Sequence, residues 1–101
     1  MSGWPLHVEL KVPVAHPMFA GHFRGRPVVP GAWLLAQAIR TLEAAAGRSF
    51  EWHRIDSAKF LAPVAPGACL DLTLTRSGPS GFQLSVLQGS ERAAMIRFGP
   101  V

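Results

Sequence analysis

One segment of the chain is apolar around almost its whole helical circumference, and this property limits the folds available to it. The segment runs from about residue 32 to residue 46, consists largely of good helix formers, and is followed by Gly47 as a stop signal. Three of its polar residues, Gln37, Arg40 and Thr41, are three and four positions apart and so share one narrow face, and Glu43 lies outside that face. A helix with so little polar surface is expected to lie inside a core.

Most of the remaining chain has the character of β-strands. Strand segments are predicted at residues 6–12, 49–61, 69–76, 82–87 and 92–98. In the second of them the alternation slips near Arg54, which predicts a bulge or a bend. The order is therefore one strand, the apolar helix and four further strands. One helix and five strands form a single core if the sheet curls around the helix.

Length and composition favour one folded domain, which we expect to cover residues 1–101. The chain is 49% hydrophobic and 16% charged, which argues against disorder and for a partner that covers additional apolar surface. No apolar run approaches the ~20 residues of a membrane span, and no secretory signal is visible at the N-terminus. Cys69 is the single cysteine, so no internal disulfide and no metal-ligand cluster are expected. These features predict a cytoplasmic protein.

The net charge of +4 comes almost entirely from arginine. The chain has no basic run and no aromatic platform interleaved with arginine, so a nucleic-acid partner is disfavoured. Two interpretations of the scattered positive charge remain open. A small acidic carrier protein would complement it, and a solvated basic face that serves solubility would also account for it.

The loop before the apolar helix holds the best candidate for chemistry. It is rich in proline and glycine, which predicts a tightly specified conformation, and Pro30 fits the first turn of the helix. The unpaired amides near Gly31 and Ala32 would point toward this loop and favour a polarised oxygen. His22 lies in the loop, and its imidazole can exchange a proton near neutral pH. An imidazole beside a helix start that polarises a carbonyl is a catalytic arrangement.

Two ordered motifs carry a resemblance to a known family. Residues 21–31, Gly-His-Phe-Arg-Gly-Arg-Pro-Val-Val-Pro-Gly, resemble the signature G-H-F-P-G-x-P-V-x-P-G of the FabA/FabZ-type 3-hydroxyacyl-(acyl carrier protein) dehydratases. Residues 55–60, Ile-Asp-Ser-Ala-Lys-Phe, and 63–67, Pro-Val-Ala-Pro-Gly, resemble that family's second block, I-D-x-x-[KR]-F followed by P-V-x-P-G-D. The resemblance extends from about residue 16 to residue 74. Residues 16–23 are also similar to the shorter dehydratase-like proteins of aryl-polyene gene clusters.

The resemblance implies an α+β hot-dog fold, in which a curved antiparallel sheet of about five strands wraps around one central buried helix, and it implies a dimer. His22 matches the family's catalytic base, which handles the proton at the α-carbon of the substrate. Gly31 matches the glycine whose backbone N–H polarises the thioester carbonyl and so acidifies that proton. The family needs no metal or cofactor, because its substrate arrives on the phosphopantetheine of acyl carrier protein. His7, His16 and His53 lack such a setting and are interpreted as strand or loop residues.

Five further residues are predicted to contact the substrate or its carrier. Arg24 and Arg26 flank the expected entrance, where they would meet a phosphopantetheine phosphate or an acidic carrier helix. Simple solvation of both arginines is the alternative. The aromatic residues Phe19, Phe23 and Trp33 are predicted to line an acyl tunnel, and the alternative for them is core packing.

The sequence departs from the family pattern at the position of the catalytic acid. That acid stands five residues after the glycine of the second Pro-Gly, where this chain has Ala36, which cannot transfer a proton. Gln37 is adjacent and could only orient a hydroxyl or a water molecule, or it is simply a polar residue on the solvent or dimer face. Glu43 is about 10 Å further along the helix, too far to replace the acid. The signature's proline and second acid are also replaced, by Arg24 and Ala68.

Three functions follow from this combination. In the first, the protein is a 3-hydroxyacyl-ACP dehydratase of fatty-acid or polyene biosynthesis. His22 and the polarising backbone amides then act together with Gln37 or a bound water in place of the missing acid. In the second, it is a non-catalytic or half-site subunit, because the family builds each active site from the histidine of one chain and the acid of the other. In the third, it is a hot-dog acyl thioesterase, which would want a carboxylate or an activated water near the helix start.

Overall fold

The secondary structure consists of five strands and one helix. The computed structural model describes residues 4–17, 29–47, 49, 54–79 and 81–99. The elements are β1 (Leu6–Lys11), α1 (Gly31–Ala46), β2 (Arg54–Phe60), β3 (Cys69–Ser77), β4 (Gly81–Gln88) and β5 (Glu91–Gly99). All five strand predictions and the helix prediction are confirmed, with ends that differ mostly by one or two residues. For the segment predicted at 49–61, residues 50–53 lie outside the described ranges, and the described strand begins at Arg54.

The five strands form one antiparallel sheet in the order β1-β3-β4-β5-β2. The last three strands of the chain are joined by tight turns and lie as neighbours in a meander with β2 added beside β5. β1 pairs with β3, so β1 and β2 occupy opposite edges of the sheet. The segment that contains α1 therefore carries the chain from one edge of the sheet to the other. This arrangement confirms the predicted α+β architecture.

The core forms where the apolar rows of the sheet meet one face of the helix. β3, β4 and β5 contribute buried rows, because alternate residues of a strand point to the same side. The helix contributes Leu34, Ala38 and Leu42, which are four residues apart and so share one face. The fully or almost fully buried residues of the sheet in this core are Leu70, Leu72, Leu74, Leu84, Val86, Ala93, Ala94, Ile96 and Phe98.

The helix ends where the sequence predicts. Gly47 adopts the left-handed conformation with φ of 71°, and its N–H donates to the carbonyl of Glu43 at 2.9 Å. Glycine adopts this conformation without the steric cost that a Cβ would add. At the other end Pro30 is the extended residue just before the helix, with φ of −63° and ψ of 139°, rather than a member of the first turn.

The helix is buried along one face, although its sequence is apolar nearly all round. Ala32, Ala36, Ala44 and Ala45 are exposed, and Trp33 is half-buried. The physical reason is geometric, since α1 packs mainly on β1 with a smaller contact to β3. One sheet covers one side of a helix, so part of the remaining apolar surface stays open to a partner.

β2 is an edge strand with an interruption in its pairing. Its register with β5 shifts between Ile55 and Ser57, which leaves Asp56 as the extra residue of a bulge and confirms the predicted slip near Arg54. Six of its seven residues are exposed. The partners of Ile55 and Phe60 on β5 are buried, so these two side chains share the core side of the sheet yet stay about half exposed, at 47% and 50%. Within the described ranges, no helix is long and apolar enough to cross a membrane.

Candidate active site

The start of α1 offers backbone N–H groups that have no partner within the helix. Pro30 is the cap residue and makes no side-chain capping bond, and the first turn carries no acidic residue. The first bond of the helical ladder runs from the N–H of Leu34 to the carbonyl of Pro30 at 3.0 Å. The amides of Gly31, Ala32 and Trp33 therefore precede the ladder, and they carry the partial positive charge of the helix terminus. A polarised oxygen placed here would be stabilised.

A backbone hydrogen bond joins the two sequence motifs at this helix start. The N–H of Val29, in the first motif, donates to the carbonyl of Val64, in the second, at 2.9 Å. Both valine side chains are buried. The bond fixes the residues just before Gly31 against the loop that follows β2. The described end of the first motif thus lies against the second motif, which is far away in the sequence.

The two motifs enclose an apolar groove at the helix start. Its volume is about 370 Å³, within the range of roughly 300–1,000 Å³ for small-molecule sites. Among the described residues, those that line it besides Gly31 are all apolar: Val29, Leu34, Phe60, Leu61, Ala62, Pro63 and Val64. A groove with this lining and with amides at one end suits a ligand that has an apolar chain and a carbonyl.

Phe60 is the residue of the groove nearest to the helix start. A Cβ at Gly31 would stand 2.8 Å from Cζ of Phe60 and 3.0 Å from Cε2, so only glycine leaves the ring in its place. The ring is half exposed, as is the neighbouring Leu61. The backbone N–H of Leu61 donates to the carbonyl of Ala93 at 2.8 Å, which fixes the end of β2 beside the groove.

Gln88, the last residue of β4, holds the loop of the second motif. Its Nε2 donates to the carbonyl of Pro63 at 3.2 Å, and its Oε1 accepts from the N–H of Ala65 at 3.4 Å. The two bonds lie on either side of Val64, whose carbonyl accepts from Val29. The loop that lines the groove is therefore held from the helix side and from the sheet side.

Three of the predicted site residues lie on α1. Gly31 lines the groove. Trp33 does not line it and instead contacts His16 edge-on, with 5.8 Å between ring centroids. Gln37 is half-buried, and its backbone carbonyl accepts from the Thr41 hydroxyl at 2.7 Å. The roles assigned to these three residues stay predictions.

The remaining predicted site residues lie outside the described ranges. They are Phe19, His22, Phe23, Arg24 and Arg26. The catalytic, substrate-binding and carrier-binding roles assigned to them stay predictions. Ala36, the position of the missing acid, is described and exposed on α1. Among the residues that the structure covers, no three His, Cys, Asp or Glu side chains are grouped to hold a metal ion.

Phe60, Leu61 and Gln88 were not singled out from the sequence as site residues. Phe60 is the last residue of the first part of the second motif, residues 55–60, and a role in the site could have been suspected from that position. The exposure of an aromatic residue and a leucine side by side is a tertiary property, which alternation in the sequence does not report. Gln88 gave no signal, since a glutamine at the end of a strand is common on solvated surfaces.

The family model and the curated relatives that match this chain are described as dehydratases. Residues 3–96 match the sequence model of the ApeI-like family, described as ApeI dehydratase. A 3-hydroxyacyl-[acyl-carrier-protein] dehydratase FabZ from Haemophilus influenzae (strain PittEE) is 39% identical over 71 residues, which are 62% of this chain and 48% of that protein. The FabZ from Novosphingobium aromaticivorans is 33% identical over 106 residues, with 92% of this chain and 67% of that protein covered. The chain thus spans about half to two thirds of the length of these curated relatives.

A solved structure shares the fold. The dehydratase heterocomplex ApeI:P from Xenorhabdus doucetiae aligns with a TM-score of 0.71, covering 91% of this chain and 82% of the matched chain. The sequence identity in that alignment is 20%, so the likeness shows the fold. The predicted hot-dog architecture is confirmed by this match together with the five-stranded sheet and its helix.

Proposed function

The chain belongs to the ApeI-like dehydratase family, and from this we propose that it takes part in the dehydration of 3-hydroxyacyl thioesters carried by acyl carrier protein. The observation that carries the proposal is the Val29–Val64 hydrogen bond, which joins the end of the first family motif to the second beside the apolar groove at the start of α1. The similarity to 3-hydroxyacyl-[acyl-carrier-protein] dehydratases supports the substrate class. The proposal requires no metal and no cofactor.

The groove and the helix start suggest how the substrate would be held. The acyl chain would lie against the apolar lining, with the thioester carbonyl at the amide of Gly31. A hydrogen bond from that amide favours the enolate-like charge that develops when the α-carbon loses its proton. In dehydration the C–H bond at C2 breaks, the C2=C3 double bond forms, and the C3 hydroxyl leaves with a proton as water. His22 is the proposed base for the proton at C2.

The departing hydroxyl needs a proton donor that this chain does not supply at position 36. Ala36 is exposed on α1 and carries no titratable group. The chain either works slowly with Gln37 or a water in this place, or it works beside a second subunit that supplies the acid. The exposed position of Ala36 and the structural neighbour named as a dehydratase heterocomplex favour the second arrangement.

The edge strand β2 offers the surface for such a subunit. Ile55 faces the core side of the sheet but stays 47% exposed, and it does not belong to the lining of the groove at the helix start. An edge strand also presents unpaired backbone groups, which a second strand satisfies. We propose that this edge pairs with a second hot-dog chain, either a copy of this one or an acid-bearing paralogue. Cytoplasmic residence stays a prediction.

An assay of water loss from a 3-hydroxyacyl-ACP tests the proposal. The protein would be assayed alone and mixed with an acid-bearing dehydratase encoded beside it, with the enoyl product quantified. Turnover by the isolated protein that is lost in His22→Ala supports the complete enzyme, and turnover only in the mixture supports the half-site subunit. Hydrolysis to the free acid without enoyl product would overturn both in favour of a thioesterase. The absence of any product under either condition would overturn the proposed function.

A further inference from the structure

We infer that Phe60 determines which acyl groups the site accepts, by limiting bulk at the carbon next to the thioester carbonyl. This inference rests on the proposed function, because it takes the amide of Gly31 as the group that binds the carbonyl. It goes beyond that function, because it assigns substrate specificity to a side chain that is not one of the predicted catalytic residues His22, Gly31 and Gln37.

The contact between Phe60 and Gly31 carries the first step. The far end of the ring lies so close to Gly31 that one additional carbon there would stand 2.8 Å from Cζ and 3.1 Å from Cε1. Non-bonded carbon atoms prefer about 3.5–4.0 Å, so the space beside Gly31 is already filled by the ring. The ring lies on the Cα side of Gly31, and we place the α-carbon of a carbonyl bound at the neighbouring amide beside this wall.

The exposure of the ring carries the second step. Phe60 is 50% exposed on the core side of the edge strand, and it lines the groove together with Leu34 and Val64 from the helix and the loop. Half of this apolar ring is exposed to solvent in the wall of the groove. An acyl group that enters this groove would cover part of it. Burial of that ring would favour acyl groups whose shape matches it, because apolar surface is removed from water.

The two steps together predict the direction of selectivity. A straight acyl chain passes the ring, whereas a methyl branch at C2 meets it. One methyl group misplaced in an apolar pocket changes kcat/KM by about tenfold or more. Removal of the ring should therefore relieve the discrimination against the branched substrate and reduce the affinity for the straight one.

The experiment compares a straight 3-hydroxyacyl thioester with its 2-methyl counterpart, which still carries one proton at C2. Wild-type protein, Phe60→Ala and Phe60→Leu would be assayed in the form, isolated or mixed, that shows turnover. Val14→Ala is the matched control, because Val14 is also an exposed apolar residue, at 78%, and does not line the groove. We expect the kcat/KM ratio of straight to branched substrate to fall about tenfold in Phe60→Ala. We expect a smaller fall in Phe60→Leu and none in Val14→Ala.

A binding measurement separates this inference from the proposed function. Straight and 2-methyl acyl groups joined to pantetheine through an amide can neither lose water nor be hydrolysed readily, and their affinities can be measured by calorimetry. If no variant turns over but the affinity ratio depends on Phe60, the inference stands and the dehydratase function fails. If wild-type protein turns over and Phe60→Ala keeps the wild-type ratio in both measurements, the inference is overturned while the function stands. An equal change in Val14→Ala would also overturn it.

Discussion

The carboxylate of Asp56 lies directly against Gly99, in the space that any larger side chain at position 99 would require. Asp56 is the bulged residue of β2, and Gly99 is the last residue of β5 and pairs with Arg54. Arg54 Nε donates to Oδ1 of Asp56 at 2.7 Å, which holds the carboxylate in this place. Asp56 and Arg54 thus form an ion pair within the edge strand β2.

We expect Gly99→Ala to destabilise the fold by about 1 kcal/mol, because the added methyl group displaces the exposed Asp56 carboxylate and disturbs its ion pair with Arg54. Removal of the carboxylate in Asp56→Ala should make room for it. The double variant should therefore be more stable than the sum of the two single effects predicts. Urea unfolding of the four proteins measures this coupling.

The control for that cycle is Arg54→Gln, which breaks the ion pair but keeps the Asp56 carboxylate that any side chain at position 99 would meet. Both partners of the pair are largely exposed, so its loss should change the free energy of unfolding by about 1 kcal/mol or less. Strictly additive effects of Gly99→Ala and Asp56→Ala would show that the carboxylate does not fill this space in solution.

Gln88 provides a prediction about the loop that lines the groove. Gln88→Leu removes both bonds to Pro63 and Ala65, each of which contributes about 0.5–1.5 kcal/mol. We expect the loop to loosen and KM to rise severalfold with a smaller change in kcat, because the loop lines the groove and carries none of the proposed catalytic groups. Steady-state kinetics on a 3-hydroxyacyl thioester measures the two constants.

The matched variant for this prediction is Gln83→Leu, on the same strand β4 but away from the loop. It should leave both constants near the wild-type values. Gln88→Glu keeps the acceptor and loses the donor, so its KM should lie between those of wild type and Gln88→Leu. Equal kinetics for the position 83 and position 88 variants would contradict a role of Gln88 in holding the loop.

The sequence predicted the elements well because alternation and helix stops are local properties. Leu70, Leu72 and Leu74 alternate with polar residues and prove fully buried, and Gly47 ends the helix in the left-handed conformation. Alternation does not state which strands are neighbours. The placement of β1 and β2 on opposite edges therefore had to come from the structure.

The site could be predicted only as far as its motifs. Gly31 was expected at the helix start and lines the groove there. The contact of Phe60 with Gly31 depends on the bond between Val29 and Val64, which is a tertiary contact without a local pattern. The one-sided burial of α1 was missed for a related reason. Apolar residues that become buried only against a partner chain have the same sequence pattern as residues of the core.

The exposed core side of β2 leads to a prediction about assembly. Ile55→Asp places a charge where we propose that a second chain covers the strand, and an unpaired charge buried in an interface is costly. We expect the variant to lose self-association or association with the acid-bearing paralogue, measured by sedimentation velocity. Val14→Asp, at a more exposed apolar residue outside β2, should leave assembly unchanged. Intact assembly in Ile55→Asp would place the interface elsewhere.

The missing acid gives the most direct prediction about catalysis. Ala36 is exposed on α1, so Ala36→Glu adds a carboxyl group without displacing a core residue. General acid catalysis by one positioned side chain contributes about 10²–10⁴ in rate. If the rest of the site is intact, the isolated variant should form enoyl product faster than wild type by a factor in this range.

Two variants separate the carboxyl group from its side effects. Ala36→Gln has the same size and cannot titrate, so it should show no gain. Ala45→Glu adds the same charge at another exposed position of α1 and should likewise show none. If a paralogue supplies the acid in the wild-type complex, the complex does not need a carboxyl group at position 36. Ala36→Glu should then raise the rate of enoyl formation far more in the isolated protein than in the mixture. Equal rates for the Glu and Gln variants at position 36 would show that the acid of this site does not come from this turn of the helix.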